Sequence, residues 1–510
     1  MHSLTMRRLF GIETEYGITI EDTDNIDHVL QSIDLIKSYR PGDFRPMWDY
    51  DSEDPFRDER GFRADTLQEH PDEQQFHEQD RERNRNINEL KSDLILVNGA
   101  RLYNDHAHPE YSTPECQNLF ELIAHDKAGE RILQQCAVRR SKEIKQRVSL
   151  YKNNTDFHGH SYGCHDNYLM NREVSFDYLK ESILPFFVTR QIFAGAGKIG
   201  IETESGISSP GFFQLAQRSD FFHVEVSVDT MHNRPIVNTR DEPHADSTKY
   251  RRLHGIVGDA NMSEYTMALK LGTTALVITL IEQRQIPDDL AIHDPIQTIK
   301  EISRDQNYQW HCRLKNGTKI SAVDLQRRYL TLAQKHLSGQ DSETDWVLTE
   351  WEVVLNSLER DPMCLRNRLD WVAKKWLLET FIEAEGIGWD DPWLQSLDLE
   401  YHNINREEGL YYGLEAQNLM HRVVTNEQIE DATHHPPRDT RAYFRGTSLN
   451  KFRADIKSIQ WDNVTFRLGG RPVSVSMDQL VNPERVAKYN CALDESQTVE
   501  ALINILGLES

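Results

Sequence analysis

The stretch from Leu9 to Ile20 constrains this chain more than any other. Its apolar residues recur with period two: Phe10, Ile12, Tyr16, Ile18 and Ile20 share one face, while Glu13, Glu15 and Thr19 share the other. The pattern predicts a strand that packs a core with one side and offers two carboxylates on the other. Such a strand needs a sheet with one polar face, and the rest of the chain offers matching pieces. The run Leu94 to Val97 ends at Asn98-Gly99, which signals a tight turn and a hairpin, and Ala100 to Asp105 follows. Residues 222–228 alternate again, with His223, Glu225 and Ser227 opposite the apolar set, and 251–258 read as a further strand. Helical periodicity spans 120–148, a long apolar helix is expected over about 265–283, and 285–430 reads as mostly helical with core tryptophans. A Pro/His-rich linker at 434–437 precedes a short mixed segment. The expectation is an α+β fold, an antiparallel sheet packed with helices, with a main unit over 1–430 and a small C-terminal domain over 431–510.

Between Pro41 and Lys91 the character changes. Residues 51–60 and 69–83 are densely charged and nearly devoid of aliphatic side chains. They predict a long mobile insertion that cannot bury enough surface to fold by itself.

Composition narrows the function classes. A net charge of −24 argues against a nucleic-acid backbone binder. No run of about 18 apolar residues is present, so no membrane-spanning helix is expected. The start, Met1 to Arg8, lacks the apolar stretch of a secretory signal. Six cysteines are scattered without a C-x-x-C pair, which fits reduced thiols in a cytoplasmic enzyme.

The densest chemical constellation runs from Asn98 to Glu115. In an extended 101–105, Arg101, Tyr103 and Asp105 point to one side. Pro109 is expected to interrupt the ladder and let Glu110 turn back toward them. With Glu13 and Glu15 this makes a set of hard oxygen ligands suited to Mg²⁺ bridged by nucleotide phosphates, with an arginine suited to a phosphate oxygen. Alternating carboxylates more often mark a merely solvated strand face, and spacing alone leaves both readings open. His165, within Tyr162 to Tyr168, reads as a metal or phosphate ligand or as a structural histidine. Arg240 reads as a phosphate clamp or as a surface partner of Asp241 or Glu242. Gly195 to Gly200 matches G-x-G-x-x-G, but residues 201–211 cannot be the helix such a site requires.

Taken together, Gly11 to Gly17, Asn98 to Glu115, Leu150 to Thr155, Tyr162 to Leu169, Asn238 to Asp246, Arg251 to Glu264, Thr440 to Gly446 and Trp461 to Val464 resemble the Pup ligase/deamidase family, distant relatives of glutamine synthetase. The resemblance implies a glutamine synthetase-like sheet cradle. It also implies one of two activities on Pup, a small disordered tagging protein. The deamidase branch hydrolyses a C-terminal glutamine of Pup and removes Pup from lysines of pupylated proteins. The ligase branch, the alternative, forms that isopeptide bond through a γ-glutamyl phosphate. Asp105 to Glu110 and the long connection between Glu15 and Arg101 are similar to the deamidase branch, whereas Gly163 to His165 reads more like the ligase.

Carried over residue by residue, the resemblance implies metal-binding roles for Glu13, Glu15, Tyr103, Glu110 and His165. It implies ATP contacts for Arg101, Thr113 and Trp461, with Arg240 and His254 as further cofactor positions. Asp105 matches the catalytic aspartate, as nucleophile or as base. Arg441 and Arg445 are expected at phosphate or in the transition state. The implied cofactors are ATP, or ADP plus phosphate, and Mg²⁺. The implied partners are Pup or a Pup-like tag and pupylated proteins, with the insertion as an active-site lid or a docking segment for a proteasomal ATPase. A non-catalytic tag-binding protein, a third reading, has no need of Asp105 and the full carboxylate set. Arg438, Arg441, Arg445, Lys451 and Arg453 form a local basic run that is expected either to line a groove for an acidic tag or to face solvent.

Overall fold

The computed structural model describes residues 8–23, 26–40, 44–50, 53–67, 87–203, 206–230 and 233–508. The strands that organise the site are β1 (Phe10–Glu15), β2 (Gly17–Ile20), β3 (Leu94–Ile95), β4 (Arg101–Asp105), β5 (His108–Ser112), β6 (Val148–Tyr151), β7 (Cys164–Asn171), β8 (Val224–Ser227), β9 (Pro235–Asn238) and β10 (Tyr250–Gly255). Among the described residues, eight of them form one sheet in the order β8-β9-β10-β7-β1-β5-β4-β3.

Alternation decides the two faces of this sheet. Phe10, Ile12, Cys164, Tyr168, Met170 and Leu253 turn backward into the main apolar core. They meet α3 (Leu119–Ile144) through Leu119, Leu122 and Ile123, and behind it α5 (Glu264–Glu282). Burying each such side chain contributes about 1.5–3 kcal/mol, which fixes the register against a one-residue slip. Helix α5 is long and apolar enough to cross a membrane by length and composition, but it is fully buried and serves as the core helix. A buried ion pair ties sheet to helix. Arg190, just past α4 (Phe176–Thr189), meets both Asp166 carboxylate oxygens of β7 at 2.8 and 2.9 Å. Residues 285–430 are largely helical, with Trp310, Trp351 and Trp371 fully buried.

Three expectations need correction. The strand read over Leu9 to Ile20 breaks at Tyr16, and β2 leaves the main sheet to pair with β6. The sheet is mixed, because β8 and β9 pair in parallel. Alternation reports the faces of a strand and not the direction of its neighbour.

The third concerns the insertion over 41–91. Its described parts are anchored to the rest of the chain at particular residues, while Phe62 and Ile87 stay exposed. Met47 and Trp48 join the C-terminal apolar cluster. Asp58, 1% exposed, accepts from Thr239 Oγ1 and from Arg60. Helix α2 (Ile87–Lys91) leads into β3. The remainder of the expected mobile stretch, 41–43, 51–52 and 68–86, lies outside the described residues.

The C-terminal segment adds α6 (Arg441–Phe452), a three-stranded meander over Ile456–Ser476, and two further helices around a cluster that includes Phe444, Ile456, Phe466, Val475 and Leu502. Gly99, at φ 81, lets the β3–β4 turn approach α6 so closely that a Cβ there would lie 2.9 Å from the Ala442 carbonyl.

Candidate active site

The polar face of the sheet is assembled by register. Glu13 stands opposite Ser112 on one side and His165 on the other. Glu15 stands opposite Glu110, which in turn stands opposite Tyr103. Arg101 pairs with Ser112, Asp105 with His108, and His254 with Asn167. Directly opposed residues share a face, so all of these side chains emerge on the side away from the core. Glu110 reaches the site as the cross-strand partner of Tyr103 and Glu15. Pro109 is therefore a regular member of β5, next to the two-residue turn at His106 and Ala107, and does not interrupt the ladder as expected.

Four carboxylates on one sheet face repel one another, and their partners sort their charge. Burial alone would raise Glu13, but the hydrogen bond with His165, the facing His254 ring and the charge of Arg252 outweigh it and hold the carboxyl well below its usual value. His165 Nδ1 lies 3.3 Å, His254 Nε2 3.5 Å and Arg252 Nη1 3.4 Å from Glu13. Burial also opposes the ionisation of Glu15, and His108 at 3.4 Å more than compensates. Asp105 is held ionised against its burial by Lys91, whose ammonium lies 2.6 Å from Oδ1. Glu110 goes the other way: burial first, then the charges of Asp105, Glu13 and Glu15, push it well above its usual value. Tyr103 donates to it at 2.6 Å and Ser112 at 3.3 Å. Raised and lowered groups side by side are the mark of a site built for charge or proton work.

Ligand atoms converge in two groups, each within 4.8 Å: Glu13, His165 and His254, and Glu15, Asp105 and Glu110. Both ring nitrogens of buried His254 lack a hydrogen-bond partner. A divalent cation fits these donors, since it would relieve the surplus negative charge around Glu110 and engage an imidazole that nothing else satisfies. Tyr103, expected as a metal ligand, has its hydroxyl 2.6 Å from Glu110 Oε1, at the border of the second group.

Beside these groups a narrow cleft of about 90 Å³ opens between β1, β7 and the C-terminal segment. Glu13, Thr113, Glu115, His244, Arg252, Arg441 and Trp461 line it. Thr113 Oγ1 also accepts from Ile12 N–H at 3.0 Å. Arg445 lies under the Trp461 ring at 4.8 Å, and both Arg441 and Arg445 bind Glu115, whose carboxyl is drawn down to about 2 despite its burial.

The expected basic run therefore does not form one face. Arg441 and Arg445 turn inward, and Arg438 and Lys451 turn onto the helix Pro483–Glu495 at Asp494 and Leu493. Arg101 sits between the Trp48 and Tyr103 rings with its guanidinium doubly bonded to Asp93. Arg240, bound to the Val228 carbonyl at 3.2 Å, is not among the cleft-lining residues.

With this geometry in view, comparison with known proteins decides the family. The model of the family described as Pup-ligase protein matches residues 8–465. The chain belongs to the Pup-ligase protein family. Among Pup-ligase relatives, a depupylase of Acidothermus cellulolyticus is 45% identical over 477 residues, covering 91% of this chain and 92% of that protein. A Pup deamidase/depupylase of Mycolicibacterium smegmatis is 42% identical over 474 residues, with the same coverage. The fold is that of the Pup ligase: the complex of Pup with its ligase PafA superposes with a TM-score of 0.76 at 32% identity, covering 98% of this chain and 94% of that one. PafA in complex with ADP gives 0.71 at 33% identity, covering 88% and 95%.

Several members of this Pup-ligase site escape a reading of the sequence. Arg252 alternates with His254 along β10, a spacing that could have marked it. His108 and Ser112 lie inside the Asn98 to Glu115 constellation. Lys91, at the end of a charged segment, carried no local signal, because its partner is set by tertiary contact.

Proposed function

We propose that this protein is a Pup deamidase and depupylase that hydrolyses the side-chain amide of a C-terminal glutamine and the isopeptide bond between the tag and substrate lysines. The observation that carries the reading is Asp105 on the tip of the β4–β5 hairpin, ionised beside the raised Glu110 and 26% exposed, in a chain 45% identical to a depupylase. In this reading Glu13, Glu15, Glu110, His165 and His254 hold Mg²⁺, and Thr113 and Trp461, which line the neighbouring cleft, contact an adenine nucleotide, with Arg101 and Arg240 outside that lining as further cofactor positions. The ADP complex of PafA supports nucleotide binding. Bound Mg²⁺ would supply Lewis-acid stabilisation of charge developing on the carbonyl oxygen. Asp105, paired with Lys91 until substrate arrives, attacks the γ-carbonyl carbon or takes a proton from water. Arg441 and Arg445, set by Glu115, face phosphate. Tyr103 and Ser112 hold the Glu110 carboxyl in one orientation.

The tag is Pup or a Pup-like protein, and the cell compartment is the cytoplasm. The separate apolar cluster around Phe444 and Phe466 supports treating 431–510 as a small C-terminal domain. A proteasomal ATPase is a further partner in this reading.

The test is a mass-resolved incubation with ATP and Mg²⁺ of a Pup–lysine conjugate and, separately, of Pup ending in glutamine. Loss of the tag, or the mass gain of amide-to-acid conversion, is the expected result. Attachment of glutamate-terminated Pup to an acceptor with one ATP consumed per bond would replace it with the ligase reading.

A further inference from the structure

Lys91 is the last residue of α2, and its backbone is pinned on the side that enters β3. Asn104 Nδ2 donates to the Leu90 carbonyl at 3.0 Å. Ser92 is fully buried at φ 49 and its N–H bonds the Asn88 carbonyl. Asp93 follows, buried and locked to Arg101. The lysine is thus delivered to one place, with its ammonium on Asp105 Oδ1. The pair is about a quarter exposed on both sides, 27% and 26%, so it lies at the rim where a macromolecule reaches. Neither the ligand groups nor the nucleotide cleft uses Lys91.

Isopeptide hydrolysis ends with an alkylammonium in the same neighbourhood. The C–N bond breaks, and water supplies a hydroxyl to the carbonyl carbon and a proton to the nitrogen. The acid proton then passes on, so that the products are a carboxylate and a lysine ammonium. A carboxylate close enough to act on the carbonyl carbon, about 3–3.5 Å away, is close to the nitrogen bonded to it.

We propose that Lys91 is a resident stand-in for the conjugate's lysine, occupying on Asp105 the place into which the cleaved amine is released. This rests on the depupylase reading. Lys91 competes with a conjugate, whose lysine carries a long alkyl stem, and is displaced less by a glutamine carboxamide, which releases only ammonia. It loosens the hold on the lysine product for the same reason.

The experiment compares Lys91→Gln and Lys91→Arg with the wild type on both substrates. Lys91→Gln should lower KM for the conjugate relative to KM for glutamine-terminated Pup by about two- to five-fold, the size of a partly exposed ion pair. Inhibition by Nα-acetyl-lysine methylamide should strengthen by a similar factor, while Lys91→Arg keeps the wild-type ratio. An unmoved KM ratio in Lys91→Gln, or an equal fall of kcat on both substrates with KM unchanged, overturns the proposal. If the wild type turns over neither substrate, the depupylase reading fails by itself. Calorimetric titration with the methylamide then decides the role of Lys91: tighter binding to Lys91→Gln than to wild type supports competition for Asp105, and equal binding overturns it.

Discussion

Glu15 Oε1 accepts a hydrogen bond from the backbone N–H of Gly163 at 2.7 Å, and a Cβ on that glycine would fall 2.6 Å from the same oxygen and 2.3 Å from His165 Nε2. The strand entry of β7 is thus shaped around one carboxylate and one imidazole, which belong to the two different ligand groups. Gly163→Ala has to move both side chains. Divalent-cation affinity, measured by Mn²⁺ titration with fluorescence or calorimetric readout, should fall by about 10- to 100-fold, as for other residues that orient metal ligands. Unchanged affinity would show that neither Glu15 nor His165 contributes.

Asp105→Asn keeps the size of the side chain and removes the charge that Lys91 engages. Turnover of conjugate and of glutamine-terminated Pup should both fall by at least about 10²-fold, the lower end of general acid–base contributions. Binding of Pup, followed by fluorescence anisotropy, should persist. Retained turnover would remove Asp105 from the chemistry.

Glu59 supplies a pH dependence of stability away from the ligand groups. It lies 3.5 Å from Arg251, with Asp241, Arg172 and Arg252 around it, and burial raises its carboxyl from 4.5 to about 7. Burial lowers the partner Arg251 as well, so desolvation outweighs attraction for both members of the pair. A raised acid binds its proton more tightly folded than unfolded. Its contribution is therefore complete below pH 4.5 and is lost as pH climbs through about 7, by at most roughly 3 kcal/mol. Glu59→Gln should flatten this decline in urea unfolding series between pH 5 and about pH 8, and an identical decline in the variant would assign it to other groups.

Arg190→Ala leaves Asp166 buried without its counter-charge between β7 and the core. Stability should drop by about 3–5 kcal/mol in chemical denaturation, far more than for a surface arginine. Replacing both partners by apolar residues should recover much of that loss.

The sequence made the sheet's two faces legible, because period two alone separates Phe10 and Ile12 from Glu13 and Glu15. The β3–β4 hairpin was equally plain from Asn98-Gly99, and the carboxylates of the site were all named. What periodicity cannot carry is who stands opposite whom. Glu110 reaches Glu15 through the β1–β5 register, and the parallel pairing of β8 with β9 depends on partners distant in sequence. Charge runs misled for a related reason. The run from Arg438 to Arg453 looked basic because Glu115 and Asp494, which absorb most of it, come from other parts of the chain. The same holds for the described part of the 41–91 segment, whose Asp58 and Glu59 are buried only because Thr239 and Arg251 receive them.

Asp105 stands on the tip of a hairpin, beside a sheet edge closed by a strand of only two residues. A carboxylate at the bottom of a pit screens visitors by girth; one on a promontory does not. On the depupylase reading, a folded cargo meets the described residues at a tip where about a quarter of the Asp105 side chain is open, room for one lysine stem.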